Sequence, residues 1–456
     1  MNLKDIEIMA AALPEDVLKA KWCGDFDRAL RLIDIKVKSE KTPACLKRRL
    51  LLEKEILLRL PLDYTYTQAE AVKLVQKDIP DFTSEELDDL RDNGKVDWIY
   101  IKGETMYSTR FYETLLKVYP DIAARAGLPP RAESEEQKLL TKNIEDMKKN
   151  GQAVWRVHMR GEMTVKEEAF CGEEKLLVHL PVPKNAVNMQ NIRVLAASHP
   201  VHKLADADAP SRTVSFLAQP EKDKPFWVEY EYESIVNYNA PDPDKVSAEQ
   251  PHFDTEELLP HIRFTPFVRM LCAELSGDEK NPLILARRFY DYCTTVGTYS
   301  FMREYFTLPD SIPDYYGTGL KGDCGVQALL FITLCRCAGI PAKWQSGLFV
   351  TPYDQGSHDW AQFYIAPYGW LFADCSFGGS AYRAGNKERH EFYFGNLDPF
   401  RMVANSELQA EFDPPKQHLR IDPFDNQRGE AEYEDRGLIW TEVENSFTML
   451  KMEKLI

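Results

Sequence analysis

The chain has 456 residues, of which 44% are hydrophobic and 11% aromatic, so several packed cores and about three domains are expected. Its formal net charge of −16 disfavours general binding to nucleic acid or to an anionic membrane surface. No apolar run reaches the roughly eighteen residues of a membrane helix, and the first residues lack a secretory signal pattern. The nine cysteines are irregularly spaced, which suits a reducing compartment. We therefore expect a cytoplasmic protein.

The first 150 residues favour helices. In residues 1–62, apolar positions such as Ala29 and Ile33 recur at helical spacing and predict helical hairpins. In residues 63–150, helix starts at Thr67 and Thr83, a strand pair and a further helix predict a winged-helix-like module, followed by a charged connecting helix from Arg131. The second helix of this module is acidic, which favours a packing or protein-docking role over DNA binding.

The pattern changes to a period of two after residue 150. Trp155, Val157 and Met159 alternate with polar residues, and so do Val228 and Tyr230. Such alternation, broken by proline-rich turns, predicts a β-sandwich over residues 151–245. A short proline and aspartate linker then leads into residues 246–400, for which we expect the catalytic core.

Cys324 is the first candidate catalytic residue. The apolar spacing after it predicts a helix, with Asp323 as a suitable N-cap residue and Gly339 near the stop. Cys324 would then lie in the first helical turn, where unpaired N–H groups and the helix dipole favour a thiolate and could hold an oxyanion. Most single cysteines are merely buried, but the flanking glycines and the helix start make this one a stronger candidate.

His358 and Asp374 follow within about fifty residues of Cys324. His358 precedes a strand-like aromatic run, and Asp374 ends another after the turn signal Pro367-Tyr368-Gly369. Antiparallel pairing of the two runs predicts that the carboxylate meets the imidazole and fixes its tautomer. We therefore predict a nucleophile, a base and an orienting carboxylate in that order.

The remaining features point to no metal and no cofactor. Cys335 and Cys337 are two residues apart on the predicted helix, so they face different directions and a shared zinc is not expected. Residues 401–456 predict loops and edge strands that form a C-terminal extension packed on the core. The predicted fold class is multidomain α+β, with a helical N-terminal region, a β-sandwich middle domain and the catalytic core.

The core region resembles the transglutaminase-like superfamily of papain-type cysteine enzymes, with spacings like those of compact bacterial members. The resemblance covers roughly residues 283–400, about a quarter of the chain. It implies a papain-like core with Cys324 as nucleophile, His358 as base and Asp374 as orienter. The matching motifs are Gly322-x-Cys324-x-x-x-Ala328, Arg336-x-x-Gly339-Ile340-Pro341-Ala342, His358-x-Trp360 and Trp370-x-x-x-Asp374.

Two positions depart from the family pattern. Gly325 stands where Trp or Tyr is common after the nucleophile, and Lys343 stands where Arg is frequent. These departures argue against borrowing the substrate preference of protein-crosslinking transglutaminases. The family's upstream aromatic residue that helps stabilise the oxyanion is here assigned to Tyr299. The candidates for a substrate groove are Tyr315, Tyr316, Trp344 and Trp360, of which the two tyrosines also compete with Tyr299.

These observations predict a cysteine hydrolase or acyltransferase that acts on an amide bond of a peptide or protein through a thioester. Hydrolysis is favoured because water is always present and no second substrate site is evident. The alternatives are protein-glutamine acyl transfer, arylamine N-acetyltransferase-like acyl transfer and a non-catalytic transglutaminase-like scaffold. No Gly-rich or basic phosphate cradle lies near Cys324 in the sequence, which speaks against the acetyltransferase.

Overall fold

The computed structural model describes residues 3–129, 134–309 and 311–456 of the chain. Helices and sheets are both abundant in those ranges, so the predicted mixed α and β composition is confirmed. Within them, no helix combines the length and the apolar character needed to cross a membrane.

The N-terminal region is built from helices, as predicted for residues 1–62. The side chain of Asp25 caps the second helix by accepting the N–H of Arg28. Ala29 and Ile33 pack with Leu50 and Leu57 in one buried cluster. The helices are α1 (Glu15–Trp22), α2 (Phe26–Lys38) and α3 (Ala44–Arg59).

The next region has two helices, a strand pair and a further helix, the order expected for a winged-helix-like module. Both predicted helix starts form capping boxes, at Thr67 and at Thr83. The predicted connecting helix starts at Arg131, outside the described residues, and its described part runs over Glu135–Asn150. The elements are β1 (Tyr66–Thr67), α4 (Gln68–Val75), α5 (Ser84–Asp92), β2 (Trp98–Ile101), β3 (Glu104–Tyr107), α6 (Phe111–Val118), α7 (Pro120–Arg125) and α8 (Glu135–Asn150), with sheet order β1-β3-β2.

The alternating region forms antiparallel strands. In the longest pairing, Trp155 lies opposite Ser234 and Met163 opposite Phe226. The apolar side chains of the alternation, Val157 and Met159 among them, are buried between two sheets. The strands are β4 (Gln152–Val165), β5 (Leu176–Pro181), β6 (Met189–Ala197), β7 (Lys203–Leu204), β8 (Thr213–Ala218) and β9 (Phe226–Asn237).

The core that follows consists of helices packed on an antiparallel sheet. Its helix after Asp323 contains a continuous run of buried residues from Gly325 to Cys335, so it is surrounded by other elements on all sides. The elements are α9 (Pro266–Ser276), α10 (Pro282–Thr295), β10 (Thr298–Tyr299), α11 (Ile312–Gly319), β11 (Lys321–Gly322), α12 (Cys324–Cys337), β12 (Ala342–Val350), β13 (Gln355–Ile365), β14 (Gly369–Ala373), α13 (Cys375–Arg383), α14 (Lys387–Phe392), β15 (Phe394–Gly395) and β16 (Arg401–Asn405).

The core sheet has the strand order β15-β14-β13-β12-β16. Successive side chains of a strand point to opposite faces, and β13 shows the consequence. Ala361, Phe363 and Ile365 are buried in the same cluster as the apolar residues of α12. Trp360 is buried in the other cluster, with residues of the sandwich.

The C-terminal residues, predicted as an extension packed on the core, also complete the sandwich. Residues Glu430–Glu432 form β17, which pairs with β5, and Val443–Lys454 form β18, which pairs with β4 along its length. The two sandwich sheets therefore have the orders β17-β5-β8-β7 and β18-β4-β9-β6. β17 and β18 cover the edges of β5 and β4. The sandwich is therefore built from chain segments that precede and follow the core in the sequence.

Candidate active site

The predicted hairpin between the strands of His358 and Asp374 is present. β13 and β14 are antiparallel, with Ala361 opposite Ala373. Asp374 follows β14 and caps α13 by accepting the N–H of Phe377 at Oδ1, 2.9 Å away. Its other oxygen, Oδ2, lies 2.8 Å from Nε2 of His358. With Nε2 donating to this carboxylate, Nδ1 is the atom of His358 that can accept a proton.

A buried arginine supports this pair from the last core strand. Nη2 of Arg401 donates to Asp374 Oδ2 at 2.9 Å, and Nη1 donates to Asp398 Oδ1 at 2.9 Å, all three side chains being fully buried. Burial opposes ionisation of Asp374, but His358, Arg401 and the Phe377 N–H together lower its pKa. Burial also lowers the pKa of His358, so the imidazole is held neutral beside a carboxylate.

Cys324 begins α12, where the sequence predicted it. Asp323 is the N-cap and its Oδ1 accepts the N–H of Val326 at 3.2 Å. Cys324 is partly exposed as a residue. Among the described side chains, Asp359 is the hydrogen-bonding neighbour of Cys324, with Oδ2 at 3.3 Å from Sγ.

The structure therefore brings His358 and Asp374 into hydrogen-bonding contact. The thiol of Cys324 instead contacts Asp359, the residue that follows His358. Asp359 follows His358 in β13, so its side chain points to the opposite face of the sheet, toward α12. Burial raises the pKa of the Cys324 thiol well above its ordinary value, and the carboxyls of Asp359 and Asp323 raise it further. The expected activation of the thiol by its helix start is thus outweighed by burial and by adjacent acids in this arrangement.

The sequence interpretation missed several residues around these groups. Asp359 is a charged residue inside an apolar strand run, and Arg401 begins another such run, Arg401-Met402-Val403-Ala404. A buried charge in a strand is costly unless it is paired, so both positions indicated a polar cluster. Asp425 and Gln427 lie far along the chain in an irregular segment, and no local pattern marks them. Tyr305, in a short helical turn, also reaches Asp323.

Tyr299 lies at the same end of the core as Cys324. It pairs in register with Gly322 through the parallel strands β10 and β11. Its ring packs edge-on against Phe301 at 5.4 Å and lies under the ammonium of Lys117 at 4.4 Å. Its role at an oxyanion stays a prediction.

The predicted substrate-groove residues are corrected by their burial. Tyr316 and Trp360 are 0% exposed and Trp344 is 1% exposed, so these rings fill the interior instead of lining an open groove. Their polar atoms are used internally: Tyr316 donates to Cys293 O, Trp344 to Ser346 Oγ and Trp360 to Gln345 Oε1. Tyr315 is partly buried against the same core. These aromatic rings therefore serve packing, Tyr316 and Trp344 in the cluster around α12 and Trp360 in the cluster shared with the sandwich.

Comparison with known proteins identifies the region around these residues. Residues 269–375 match the transglutaminase-like superfamily core, a stretch that contains Cys324, His358 and Asp374. This region resembles a transglutaminase-like core. The resemblance noted in the sequence is confirmed over these residues, and the match supports a cysteine enzyme in general.

Similarity to individual proteins is low. The chain is 27% identical over 170 residues to an uncharacterised protein of Haemophilus influenzae, a match covering 31% of this chain and 44% of that relative. A candidate cysteine protease from Cytophaga hutchinsonii gives a TM-score of 0.36 at 12% identity, covering 66% of this chain and 89% of that one. The periplasmic domain of TgpA from Pseudomonas aeruginosa gives 0.28 at 13% identity, covering 54% and 95%. At these TM-scores the two structures establish no shared activity.

Proposed function

We propose that this protein is a cysteine-nucleophile amide-bond enzyme that works through a thioester and releases the acyl group to water. Cys324 is the nucleophile, His358 the base and Asp374 its orienter. The observation that carries the proposal is the buried His358–Asp374 pair, 2.8 Å apart, inside the matched core that also holds Cys324 at a helix start. A peptide or protein amide, including a glutamine side chain, is the proposed substrate.

The chemistry assigned to each group follows from its surroundings. In the proposed reaction Nδ1 of His358 takes the thiol proton, because Nε2 is held by Asp374, and the sulfur must first turn from Asp359 toward the side of β13 that carries His358. The sulfur of Cys324 then attacks the carbonyl carbon, and an N–H at the start of α12 faces the developing oxyanion. His358 returns the proton to the leaving amine, and water later attacks the thioester with the same imidazole as base.

Hydrolysis is preferred over transfer to an amine. A crosslinking enzyme needs a second site that delivers the acceptor amine, and the two departures Gly325 and Lys343 remove the support for a crosslinker's pocket. Water needs no such site. Acyl transfer between proteins therefore remains the alternative reaction of the same thioester.

A non-catalytic scaffold is the second candidate function. The observation that favours it is the contact of Cys324 with Asp359, together with the raised pKa of the thiol. Labelling with iodoacetamide as a function of pH separates the two candidates. A scaffold thiol reacts no faster than a free thiol at about pH 6, whereas an activated one reacts faster.

The test of the proposed function is Cys324→Ser. Wild type and variant are incubated with a peptide library that presents backbone and glutamine amides, and products are read by mass spectrometry. We expect cleaved or deamidated products from wild type and a loss of at least about 10³-fold in the variant, since a hydroxyl at this position lacks thiolate character.

The matched control is Cys45→Ser, which alters an exposed cysteine in the helical region. It should retain wild-type turnover. Full turnover by Cys324→Ser would remove Cys324 from the mechanism. Products joined to an added amine, instead of hydrolysed products, would assign the enzyme to acyl transfer.

A further inference from the structure

Four cysteines of the core form two thiol pairs. Cys272 of α9 is hydrogen-bonded to Cys337, the last residue of α12, and Cys293 of α10 is hydrogen-bonded to Cys375, the first residue of α13. Cys293 and Cys375 are each 1% exposed, whereas Cys337 is partly exposed. A reagent in the solvent can therefore reach the first pair through Cys337, while the second pair is shielded.

The packing of α9 against α12 brings the two sulfurs of the first pair together. Sγ of Cys272 lies 3.8 Å from the carbonyl oxygen of Leu334. That oxygen accepts the N–H of Ala338, so it lies in the last turn of α12, level with Cys337. Cys272 is 6% exposed and belongs to the same buried cluster as Leu334, and Cys337 packs at the edge of that cluster. One thiol of the pair is thus buried and the other borders the solvent.

The hydrogen bond gives the two thiols different roles. The S–H of Cys272 donates to the sulfur of Cys337 and so lowers the pKa of Cys337, an effect that the charge of Arg269 increases and that burial and Glu257 oppose. The same hydrogen bond, together with burial, raises the pKa of Cys272. Because the thiolate is the form that attacks an oxidant, Cys337 is the attacking sulfur and Cys272 the resolving one.

We propose that Cys337 and Cys272 form a redox site, at which a hydroperoxide oxidises the two thiols to a disulfide that joins α9 to the last turn of α12. The site is distinct from Cys324, which begins α12 about 20 Å away along the helix axis, so the inference does not depend on the proposed function. In the reducing compartment expected from the sequence, a disulfide of this kind is transient and thiol reductants reverse it.

Both steps balance with hydrogen peroxide as the oxidant. The Cys337 thiolate attacks one peroxide oxygen, so that an S–O bond forms, the O–O bond breaks and the leaving hydroxide takes a proton to become water. The sulfur of Cys272 then attacks the sulfenic acid of Cys337. The S–S bond forms, the S–O bond breaks, and the departing hydroxide leaves as water with the proton of Cys272. The thiol pair loses two electrons and the peroxide gains them.

The test treats the folded, full-length protein with hydrogen peroxide and maps its disulfides by mass spectrometry of unreduced peptides. We expect a peptide pair that joins Cys272 to Cys337. Iodoacetamide labelling of both residues, carried out after the peroxide is removed and the chain is unfolded, should fall at least about tenfold. Dithiothreitol should restore the labelling. A sample treated with peroxide in urea is the matched control, because unfolding separates these two among the nine cysteines.

Single variants test the two roles. In Cys272→Ser the sulfenic acid of Cys337 has lost its resolving thiol, so dimedone should trap it, whereas Cys337→Ser should give no dimedone adduct at Cys272. Cys23→Ser alters an exposed cysteine of the helical region and should form the Cys272–Cys337 disulfide as wild type does. Circular dichroism checks the fold of every variant.

Three results would overturn the proposal. The first is a peroxide-treated wild type without the Cys272–Cys337 crosslink, and the second is an equal yield of this crosslink in the folded and the urea-unfolded protein. The third is a dimedone adduct at Cys272 in Cys337→Ser, which removes Cys337 as the attacking sulfur. The crosslink should form equally in Cys324→Ser, so a failure of the proposed amide chemistry leaves this result unchanged.

Discussion

At the scale of single residues, the site is defined by how buried charges are paired. Arg401 is fully buried and divides its guanidinium between Asp374 and Asp398. Its planar group also lies 4.5 Å from the centre of the Phe377 ring, which itself packs against His358. Arg401 therefore fixes both the charge of Asp374 and the orientation of the aromatic wall beside the imidazole.

Replacing Arg401 by Met tests this role. The substitution leaves two buried carboxylates without a cation, so the free energy of unfolding should fall by roughly 3–5 kcal/mol. Amide turnover should fall as well, because Asp374 then competes for a proton with His358. Urea unfolding and kcat measure the two effects.

The control for this prediction is Arg436→Met, which removes an ion pair whose arginine side chain is 43% exposed. Exposed pairs of this kind contribute about 0–1 kcal/mol. Equal losses in Arg401→Met and Arg436→Met would show that the buried array contributes no more to stability than a surface pair.

At the scale of elements, the helical N-terminal region and the winged-helix-like module together contact the loop of residues 300–306. This loop carries Tyr305 to Asp323. The N–H of Phe301 donates to Thr114 Oγ1 of α6, and the Arg110 guanidinium lies 3.5 Å from the centre of the Phe301 ring. Further along the loop, Nη1 of Arg303 donates to Tyr64 Oη at 2.8 Å. The helical region, whose role the sequence left open, thus supports the loop that precedes α11 and α12.

Tyr64→Phe is expected to loosen this loop. It removes the acceptor of Arg303 and the donor to Asp97, and leaves a partly buried donor without its partner, at a cost of about 1–3 kcal/mol. Amide hydrogen exchange in residues 300–306 should become faster, since local opening follows the lost contacts. Turnover should fall in parallel because Tyr305 is no longer held against Asp323.

The comparison variant is Tyr100→Phe, in the same module, whose side chain is exposed. It should leave hydrogen exchange in residues 300–306 unchanged. Protection that is the same in Tyr64→Phe and wild type would mean that the core alone orders the loop.

At the scale of the whole molecule, the fold joins segments that lie far apart in the chain. The irregular stretch between β16 and β17 brings Asp425 and Gln427 to the core, and β17 and β18 then join the sandwich. The core and the sandwich also meet along β16, where the N–H of Arg212 donates to Ala404 O. Stability should therefore depend on groups buried in both parts.

Two buried histidines define the acid limit of that stability. His179 in β5 and His261 before α9 are 0% exposed, and burial lowers the pKa of each from 6.5 to about 3. In the unfolded chain both imidazoles take up protons near pH 6.5, whereas in the folded chain they stay neutral. Their contribution is complete above that pH and is lost as pH falls from 6.5 toward 3.

Buried carboxyls act in the opposite direction. Burial raises the pKa of Asp63 to about 7 and of Asp422 to about 8. Their contribution is complete below the unfolded pKa of 3.8, falls as pH rises from there, and is gone above about 7 to 8. Between about pH 4 and 6.5 the histidine and carboxyl effects oppose each other, whereas between about 6.5 and 8 only the carboxyl effect remains, so the free energy of unfolding should fall over that upper range.

Urea unfolding at about pH 4.5, 6.8 and 9 measures this profile. Relative to wild type, His179→Gln should gain stability as pH falls from about 6.8 to 4.5, whereas the exposed His252→Gln should keep a constant difference from wild type. A difference between wild type and His179→Gln that is constant from about pH 6.8 to 4.5 would contradict the role assigned to this buried imidazole.

Much of this protein could be predicted from local patterns. Helical spacing and capping boxes located the helices that begin after Thr67, Thr83 and Asp323, because these signals depend on residues a few positions apart. Period-two alternation located β4 and β9 for the same reason. The order of Cys324, His358 and Asp374 also predicted the superfamily that the core resembles and the hairpin that joins the last two residues.

Only the tertiary structure decided what surrounds the nucleophile. Asp359 reaches Cys324 because strand alternation turns it toward α12 while His358 faces the other way, and this depends on which face of β13 the helix covers. Asp425 and Gln427 arrive from a distant irregular segment, and Gly325 matters through the side chains that fill the space beside it. Tyr316, Trp344 and Trp360, which the sequence predicted for a substrate groove, are likewise buried in the interior. The sequence by itself determined the nucleophile candidate and its fold, because local periodicity encodes them, whereas packing between distant segments set the protonation and the neighbours of the thiol.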